Sequence, residues 1–367
     1  MLLNATIPLP QGCVKACRSC RHRQWTEEAS HTQKMEFLQK TLAPWVDRLS
    51  PIQGPASDRR WGYREKVKLS ARCYDGRWEF GMEPVGDFVP LPDCPVQSQR
   101  VNEAFALLKP HLPGMALRYI VQNGSLITLI IKDKALPPTH WITDSLTQGL
   151  RALGIEGLHA NLHPASGRIL FAEKGWRCLW GKARVQDSRG LWHGPGSFSQ
   201  LIPELHEDSL VHADQFLAPT ERDAVVDLYS GIGASLRRWK RAIGVEFDGE
   251  AVACAQLNAP HAQILRGPCN QRLPQVRNWL SEQKPSAIQT YINPPRSGLE
   301  PGVLNWLANE PAVDRIAYLS CSAGTLGRDL AVLEAAGYQV ERLLPFDFFP
   351  QTHHVEVLAQ IRRKEHA

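Results

Sequence analysis

Residues 224–233 read Ala-Val-Val-Asp-Leu-Tyr-Ser-Gly-Ile-Gly, an apolar, β-prone run that ends in an acidic residue and a glycine turn. Residues 242–248 read Ala-Ile-Gly-Val-Glu-Phe-Asp and place Glu246 nineteen positions after Asp227. A glycine turn lets a ligand approach the backbone closely. A carboxylate at this distance is placed to accept hydrogen bonds from the hydroxyls of a ribose. The two stretches therefore predict the nucleoside-binding part of a Rossmann-like α/β domain.

The glycine turn differs from that of dinucleotide-binding enzymes. Those enzymes carry three glycines at fixed spacing, whereas this chain has only Gly231 and Gly233. Without the third glycine, no helix-capping glycine remains for a pyrophosphate. The adenosyl cofactor S-adenosyl-L-methionine therefore fits the turn better than a dinucleotide does.

Two further predicted strands end in side chains that can do chemistry. Residues 287–292 lead into Asn293-Pro-Pro-Arg, a rigid turn that fixes one amide side chain, although such turns also occur as plain loops. Residues 316–319 lead into Ser-Cys-Ser, which contains Cys321, and then into a helical pattern. Taken alone, Cys321 is more typical of a small buried residue. Ligands bind outside the carboxyl ends of parallel strands. The other polar side chains expected at this edge of the sheet therefore favour a reactive role for Cys321.

Glu356 interrupts an apolar strand pattern near the end of the chain. Such a carboxylate is either an exposed edge residue or a group whose proton affinity is raised by apolar surroundings. The second case suits a general base, and the other polar residues expected at the same crevice favour it.

The N-terminal region contains Cys13, Cys17 and Cys20, with spacers of three and two residues. Thiolates so close together can share one metal centre, which usually takes four protein ligands. We prefer Cys94 as the fourth ligand because it lies in a turn-rich Pro-Asp-Cys-Pro sequence. Cys73 follows an alternating strand and is expected to pack there. The spacing alone leaves zinc and an iron–sulfur cluster as alternatives.

Composition and length indicate a soluble globular protein with two domains, which we place at residues 1–190 and 191–367. The chain has 367 residues, of which 43% are hydrophobic and 22% charged. It has no apolar run of about eighteen residues and no signal-peptide pattern, so we expect a cytoplasmic protein without a membrane partner. Its nine cysteines are an odd number, which argues against a complete disulfide framework.

The net charge of +5 permits a polyanionic partner without requiring one. In residues 61–72, aromatic or apolar residues alternate with basic ones. A strand there would place Lys66, Lys68, Ser70 and Arg72 on one face, which suits an RNA backbone but is equally typical of a solvated edge. No DNA partner is expected.

With these motifs in view, the sequence resembles the RNA uracil-C5 methyltransferase family, in particular its bacterial 23S ribosomal RNA branch, which carries an iron–sulfur cluster. The resemblance covers nearly the whole chain. Some members have an N-terminal β-barrel RNA-binding module, and we expect this chain to resemble the branch that does without it. The matching pieces are the cysteine trio with Cys94-Pro, Phe-Ser-Gln, Asp-Leu-Tyr-Ser-Gly-Ile-Gly, Asn-Pro-Pro-Arg, Ser-Cys-Ser-Ala-Gly-Thr-Leu and His-Val-Glu. The family usually has a Cys where Ser230 stands, and residues 233–243 are short for a complete crossover helix.

The resemblance implies a catalytic domain of the Rossmann-like methyltransferase class behind an N-terminal α+β domain that binds a cluster and RNA. It implies methylation of C5 of a uridine, most simply in 23S ribosomal RNA, with tRNA or a non-catalytic assembly role as alternatives. The implied residues are Cys321 as nucleophile and Glu356 as base; Gln200, Tyr229, Glu246 and Asn293 for S-adenosyl-L-methionine; and Cys13, Cys17, Cys20 and Cys94 for a [4Fe-4S] cluster.

Overall fold

The computed structural model describes residues 7–83, 86–165 and 170–364. The helices are α1 (Glu27–Thr41), α2 (Gln99–Leu108), α3 (Asp144–Ala152), α4 (Pro203–Leu217), α5 (Gly249–Asn258), α6 (Cys269–Gln283), α7 (Pro301–Asn309) and α8 (Ala323–Ala335). The strands are β1 (Lys66–Tyr74), β2 (Arg77–Met82), β3 (Val89–Pro90), β4 (Leu117–Asn123), β5 (Leu126–Ile131), β6 (Gly157–Leu162), β7 (Trp176–Gly181), β8 (Val185–Gln186), β9 (Trp192–His193), β10 (Ala224–Leu228), β11 (Ala242–Glu246), β12 (Gln263–Arg266), β13 (Ile288–Ile292), β14 (Val313–Ser320), β15 (Tyr338–Phe346) and β16 (Glu356–Arg363). None of these helices is long and apolar enough to cross a membrane.

The chain divides into two compact units. One, here called the C-terminal unit, contains residues 25–55 and 202–364; the other, the cysteine unit, contains residues 7–24 and 56–201. This division corrects the domain ranges expected from the sequence. Residues 25–55 lie with the C-terminal unit, and the later boundary falls at 201/202 instead of 190/191. The N-terminal domain is therefore discontinuous in sequence.

The C-terminal unit is built on a seven-stranded sheet in the order β12-β11-β10-β13-β14-β16-β15. Strands β10 to β14 are parallel, and β16 runs antiparallel to both β14 and β15. The strand order reverses between β10 and β13, and such a switch point is where open α/β sheets bind ligands. The crossover from β10 to β11 contains only a single 3-10 turn, Leu236–Arg238, as the short sequence between the two strands predicts.

Helix α1 begins at the N-cap Thr26, whose hydroxyl accepts a hydrogen bond from the Ala29 amide at 3.2 Å. Helix α1 ends at Thr41, and a 3-10 helix, Ala43–Arg48, follows with Pro44 in its first turn. Leu38 and Leu42 are buried, whereas Phe37 and Val46 are exposed. The segment therefore buries only a narrow apolar stripe.

The cysteine unit contains a second seven-stranded sheet, in the order β3-β2-β1-β4-β5-β6-β7. Its pairs are antiparallel except for β5 with β6. Strand β1 has the predicted alternation only in part: Val67, Leu69 and Ala71 are buried in a core that they share with α2 and α3, but Ser70 on the opposite face is buried as well. Cys73 lies on β1 as expected but is exposed instead of packed.

Leu330 and Val332 lie on helix α8, and their contrasting burial makes a matched test of the core. Leu330 is fully buried in the core of the C-terminal unit, whereas Val332 is 42% exposed. We expect Leu330→Ala to lower the free energy of unfolding by about 2–5 kcal/mol because it leaves a cavity. Val332→Ala should change it by less than about 0.5 kcal/mol. Urea unfolding measures both, and equal effects would contradict this account of the core.

Candidate active site

Four of the predicted site residues stand at the carboxyl ends of neighbouring strands. Tyr229 directly follows β10, Glu246 is the last residue of β11, Asn293 follows β13 and Cys321 follows β14. Because these strands are parallel, the four residues share one edge of the sheet. The hydrophobic pattern of each strand and the turn after it are local features, which is why the sequence predicts these positions at strand ends; the functional roles of the four residues stay predictions.

Glu246 is held across the glycine turn by backbone hydrogen bonds. The amide of Gly231 donates to Glu246 Oε2 at 2.9 Å, and the amide of Asp248 donates to Oε1 at 2.7 Å. Gly231 and Gly233 have φ values of 55° and 78°, a region that favours glycine. A carboxylate has about four lone-pair sites, so acceptor capacity remains for a ligand hydroxyl. Burial raises the pKa of Glu246 above its ordinary value.

Tyr229 also has a left-handed backbone, with φ of 62°. Its hydroxyl lies 3.3 Å from Glu300 Oε1 and accepts a hydrogen bond from the Glu300 amide at 3.4 Å. Strain of this kind in a non-glycine residue persists only where surrounding contacts impose it, and it is concentrated at ligand sites. Since the hydroxyl is engaged by Glu300, the ring of Tyr229 is the part available for contact with a nucleoside.

Asp227, the acidic residue of β10, is fully buried beneath the turn. The hydroxyl of Ser235 donates a hydrogen bond to its Oδ2, while Oδ1 has no hydrogen-bond partner among the described residues. Burial raises the pKa of Asp227 to about 8, Ser235 opposes that rise, and Glu246 adds to it. Asp227 thus supports the turn from inside the sheet, and the pairing with Ser235 was not foreseen from the sequence.

Cys321 and Glu356 are brought together by the sheet. Strand β14 pairs with β16 in the register Ser320 with Val357, so the next position brings Cys321 opposite Glu356. Cys321 is partly exposed, whereas Glu356 is 4% exposed. Burial and then the charge of Glu356 raise the pKa of the Cys321 thiol, and Arg296 lowers it through its charge and a hydrogen bond. The thiol is therefore within reach of both a carboxylate and a guanidinium, which act on its pKa in opposite directions.

The turn that carries Asn293 and Arg296 is fixed by helix α8. The Thr325 hydroxyl donates to the Arg296 carbonyl at 3.4 Å, and Arg328 donates to the Ser297 carbonyl at 3.2 Å. Asp329, fully buried, accepts from the Leu299 amide at 3.0 Å. The sequence analysis missed these supports. The available signal is that Asp329 stands among buried leucines at helical spacing, where a charged side chain needs a partner.

Gln200 lies in the cysteine unit and is 6% exposed. It ends the segment before helix α4, which begins at Pro203. The preceding residues are tied to strand β4, because Asn123 Nδ2 donates to the carbonyls of Gly194 and Ser197 at 2.9 and 3.1 Å. The assignment of Gln200 to the cofactor stays a prediction.

The four predicted metal ligands lie close together in the cysteine unit. A Cβ atom added to Gly12 would lie 2.2 Å from the Asp93 carbonyl oxygen, so the Cys13 loop abuts the Cys94 turn. Burial first, and then the neighbouring Cys94, Cys17 and Cys13, raise the pKa of Cys20 to about 12. Within the described residues, however, no group of three or more His, Cys, Asp or Glu side chains has an arrangement ready to hold a metal ion.

A basic and aromatic surface borders strands β1 and β4. Lys68 Nζ lies 4.9 Å from the centre of the Tyr119 ring, and the Arg118 guanidinium lies 5.0 Å from it. Lys66 Nζ lies 4.9 Å from the centre of the Phe198 ring, which is 62% exposed. Burial and then Arg64 lower the pKa of Lys66 to about 8. This surface has the chemistry that nucleic-acid bases and phosphates require.

Comparisons with known proteins agree with this geometry. A family model described as tRNA (Uracil-5-)-methyltransferase matches residues 280–364. The chain is 29% identical over 390 residues to an RNA methyltransferase of Nostoc sp., covering 95% of this chain and 82% of the relative. It is 26% identical over 379 residues to one of Clostridium tetani, covering 93% and 80%.

Among solved structures, the tRNA (uracil-54, C5)-methyltransferase of Pyrococcus abyssi, in complex with S-adenosyl-L-homocysteine, is similar with a TM-score of 0.69. The identity is 19%, and the alignment covers 96% of this chain and 86% of the other. The fold is therefore the mixed α/β methyltransferase fold. The family match over residues 280–364 and the sequence relatives support an RNA methyltransferase of the uracil-C5 family.

Asp227 makes folding stability depend on pH in a predictable direction. Its pKa is about 8 in the folded chain against a reference value of 3.8. At pH values between these two, Asp227 is therefore protonated in the folded state and ionised in the unfolded state. Stability contributed by the neutral carboxyl is therefore lost as the pH rises through this window. The variant Asp227→Asn, neutral throughout, should gain stability relative to the wild type between about pH 4 and pH 8. Urea unfolding across this range measures the difference, and a constant difference would contradict the assignment.

Proposed function

We propose that this enzyme transfers a methyl group from S-adenosyl-L-methionine to C5 of a uridine in RNA, through a covalent bond between Cys321 and C6. The observation that carries the proposal is the position of Cys321 one residue beyond the Ser320–Val357 pair, beside Glu356, the first residue of β16, with both Glu356 and Arg296 acting on the pKa of its thiol. Uracil C5 is a poor nucleophile, and a thiolate that adds to C6 overcomes this. The arrangement supplies a nucleophile, a group that favours its anion, and a carboxylate within the same strand pair.

The cofactor residues are proposed from their chemistry. Glu246 has acceptor capacity for ribose hydroxyls, Tyr229 offers a ring, and Asn293 is fixed at the edge by its proline turn. Gln200 is included on the resemblance alone. When bound, S-adenosyl-L-methionine supplies an electrophilic methyl group on a sulfonium.

In the proposed reaction, the Cys321 thiol gives its proton to solvent, and its sulfur forms a bond to C6 while the electrons of the C5–C6 double bond move into an enolate. C5 would then form a bond to the methyl carbon as the bond from that carbon to the sulfonium sulfur breaks, and the sulfur would keep the electron pair in the departing S-adenosyl-L-homocysteine. Glu356 removes the remaining C5 proton, and the electrons of that C–H bond restore the double bond and expel the Cys321 thiolate. Because Cys321 must reach the face of the ring, the uridine has to be unstacked or flipped out.

The RNA is proposed to be 23S ribosomal RNA, from the resemblance to that branch of the family. The basic and aromatic surface at Lys68, Arg118 and Tyr119 supports an RNA substrate of either kind. Transfer RNA is the alternative, and a non-catalytic assembly factor is the second alternative. Radiolabelled methyl transfer to unmodified 23S and tRNA transcripts separates the three, and incorporation into neither would contradict the proposed enzyme activity.

Cys321 provides the decisive test of the covalent step. We expect Cys321→Ala to fold normally, to lose methyl transfer and to form no SDS-stable adduct with RNA that contains 5-fluorouridine, because no thiolate reaches C6. The matched control is Cys178→Ala, at an exposed cysteine of the other unit, which should retain both activities. Methyl transfer by Cys321→Ala at the wild-type rate would contradict the mechanism.

We also propose that Cys13, Cys17, Cys20 and Cys94 bind a [4Fe-4S] cluster. Supporting observations are the close approach of the Cys13 loop to the Cys94 turn, the mutual effect of the thiols on the Cys20 pKa, and the burial of Cys17 in the core that Cys94 borders. A cluster would supply a cationic centre that relieves the repulsion among the thiolates. Its proposed role is structural, and no step of methyl transfer passes through it.

Cys94 and Cys73 are the two downstream cysteines that the sequence left as candidates for the fourth ligand. After anaerobic purification, we expect about four iron atoms per chain in the wild type, and a loss of iron and of visible absorbance in Cys94→Ser. Cys73→Ser should keep both because Cys73 is exposed on β1. Iron and sulfide analysis with absorption spectra measures this, and retention of the full cluster by Cys94→Ser would contradict the assignment.

A further inference from the structure

Lys34 and Asp347 form an ion pair that is fully buried in the C-terminal unit. Lys34 Nζ donates to Asp347 Oδ1 at 2.5 Å, and both side chains have no solvent exposure. His31 Nε2 lies 3.1 Å from the other carboxylate oxygen. Burial alone would raise the pKa of Asp347, but the hydrogen bonds and charges of His31 and Lys34 lower it below its ordinary value. A buried charge pair of this kind is weak evidence for a stabilising role, so its presence calls for another explanation.

The pair lies at the base of the loop that leads to Glu356. Asp347 directly follows Phe346, the last residue of β15, and Phe346 pairs with Glu356 in the β15–β16 register. The loop of residues 347–355 therefore begins at Asp347 and ends next to Glu356, and the Phe346–Glu356 pair joins its two ends. Any shift of Asp347 moves the first pair of the ladder, on which Glu356 depends.

Residues of α1 hold this loop at several points. Besides the Asp347 contacts, Lys34 Nζ donates to the Phe349 carbonyl at 3.2 Å, and the Ser30 hydroxyl donates to the Pro350 carbonyl at 3.4 Å. Downstream of α1, the Gln53 carbonyl accepts from the Asp347 amide at 2.7 Å. Lys34 stands one helical turn after both Ser30 and His31, so the three residues share one side of α1, toward the loop.

We propose that Lys34 and Asp347 are positioning residues that hold Glu356 at the distance from Cys321 at which it removes the C5 proton. This inference rests on the proposed function, because it assigns the pair a role in the step that Glu356 performs. The ion pair holds Asp347 in place. Asp347 in turn holds the adjacent Phe346–Glu356 pair, which contains the first residue of β16. A small displacement of a catalytic group has large kinetic effects, so the pair influences turnover more than folding.

The test uses the variant Lys34→Met, Asp347→Asn, which removes both charges with little change of volume. Removing both partners avoids the unpaired buried charge that would unfold a single variant. We expect its Tm to stay within about 5 °C of the wild type. We expect kcat for methylation of a 23S ribosomal RNA transcript to fall about tenfold to 100-fold. The KM for this RNA should change less than about threefold, since binding is untouched.

Accumulation of the covalent adduct gives a readout that loss of stability alone would not produce. If the displaced Glu356 removes the C5 proton slowly, methylated RNA stays bonded to Cys321 and appears as an SDS-stable band that carries the methyl label. Glu356→Gln serves as the reference for this behaviour. The control is Arg362→Gln, Glu341→Gln, which removes a partly exposed ion pair of 3.1 Å on the same two strands and should turn over as the wild type does.

The outcomes separate the two proposals. Reduced kcat with a labelled adduct in both Lys34→Met, Asp347→Asn and Glu356→Gln supports the positioning role. An adduct in Glu356→Gln but wild-type turnover in the double variant overturns the positioning role and leaves the base assignment intact. Wild-type turnover in Glu356→Gln overturns the base assignment and the positioning role together.

Discussion

The register between β14 and β16 is the constraint on which the proposed catalytic arrangement depends. Side chains alternate between the faces of a sheet, so a slip of one residue would turn Glu356 away from Cys321. The two residues are distant in sequence and meet only because β16 runs antiparallel beside β14. This register is supported from two places: strand β15 pairs with β16, and helix α1 holds the loop before Glu356. The rest of the C-terminal unit can therefore be understood as support for a single strand pair.

Burial is the dominant physical influence on the ionisable groups of the site. It is the largest cause of the raised pKa values of Asp227, Glu246 and Cys321. A sparingly hydrated site strengthens electrostatic interactions and disfavours isolated charges. In the proposed mechanism, the Cys321 thiolate therefore depends on Arg296, whose charge lowers the pKa of the thiol. The carboxylate Glu246 keeps its place because two backbone amides compensate for lost hydration.

The assignment of segments to the two units does not follow their order along the chain. Residues 25–55 precede most of the cysteine unit but belong to the C-terminal unit, where α1 supports the loop before Glu356. The cysteine unit brings together its four N-terminal and downstream thiols and presents the basic and aromatic surface of β1 and β4. Insertion of one unit between segments of the other requires the chain to return, so neither unit corresponds to a single uninterrupted half of the sequence.

Local patterns were sufficient for much of this molecule. The sequence by itself determined the strands ahead of Tyr229, Asn293 and Cys321, the glycine turn with Glu246, and the alternation of β1, because strand period and turn chemistry act over a few residues. Only the tertiary structure decided that residues 25–55 join the C-terminal unit, that Asp329 fixes the proline turn, and that Lys34 pairs with Asp347. These contacts join residues as much as 313 positions apart. They depend on which faces pack together, and no local pattern carries that information.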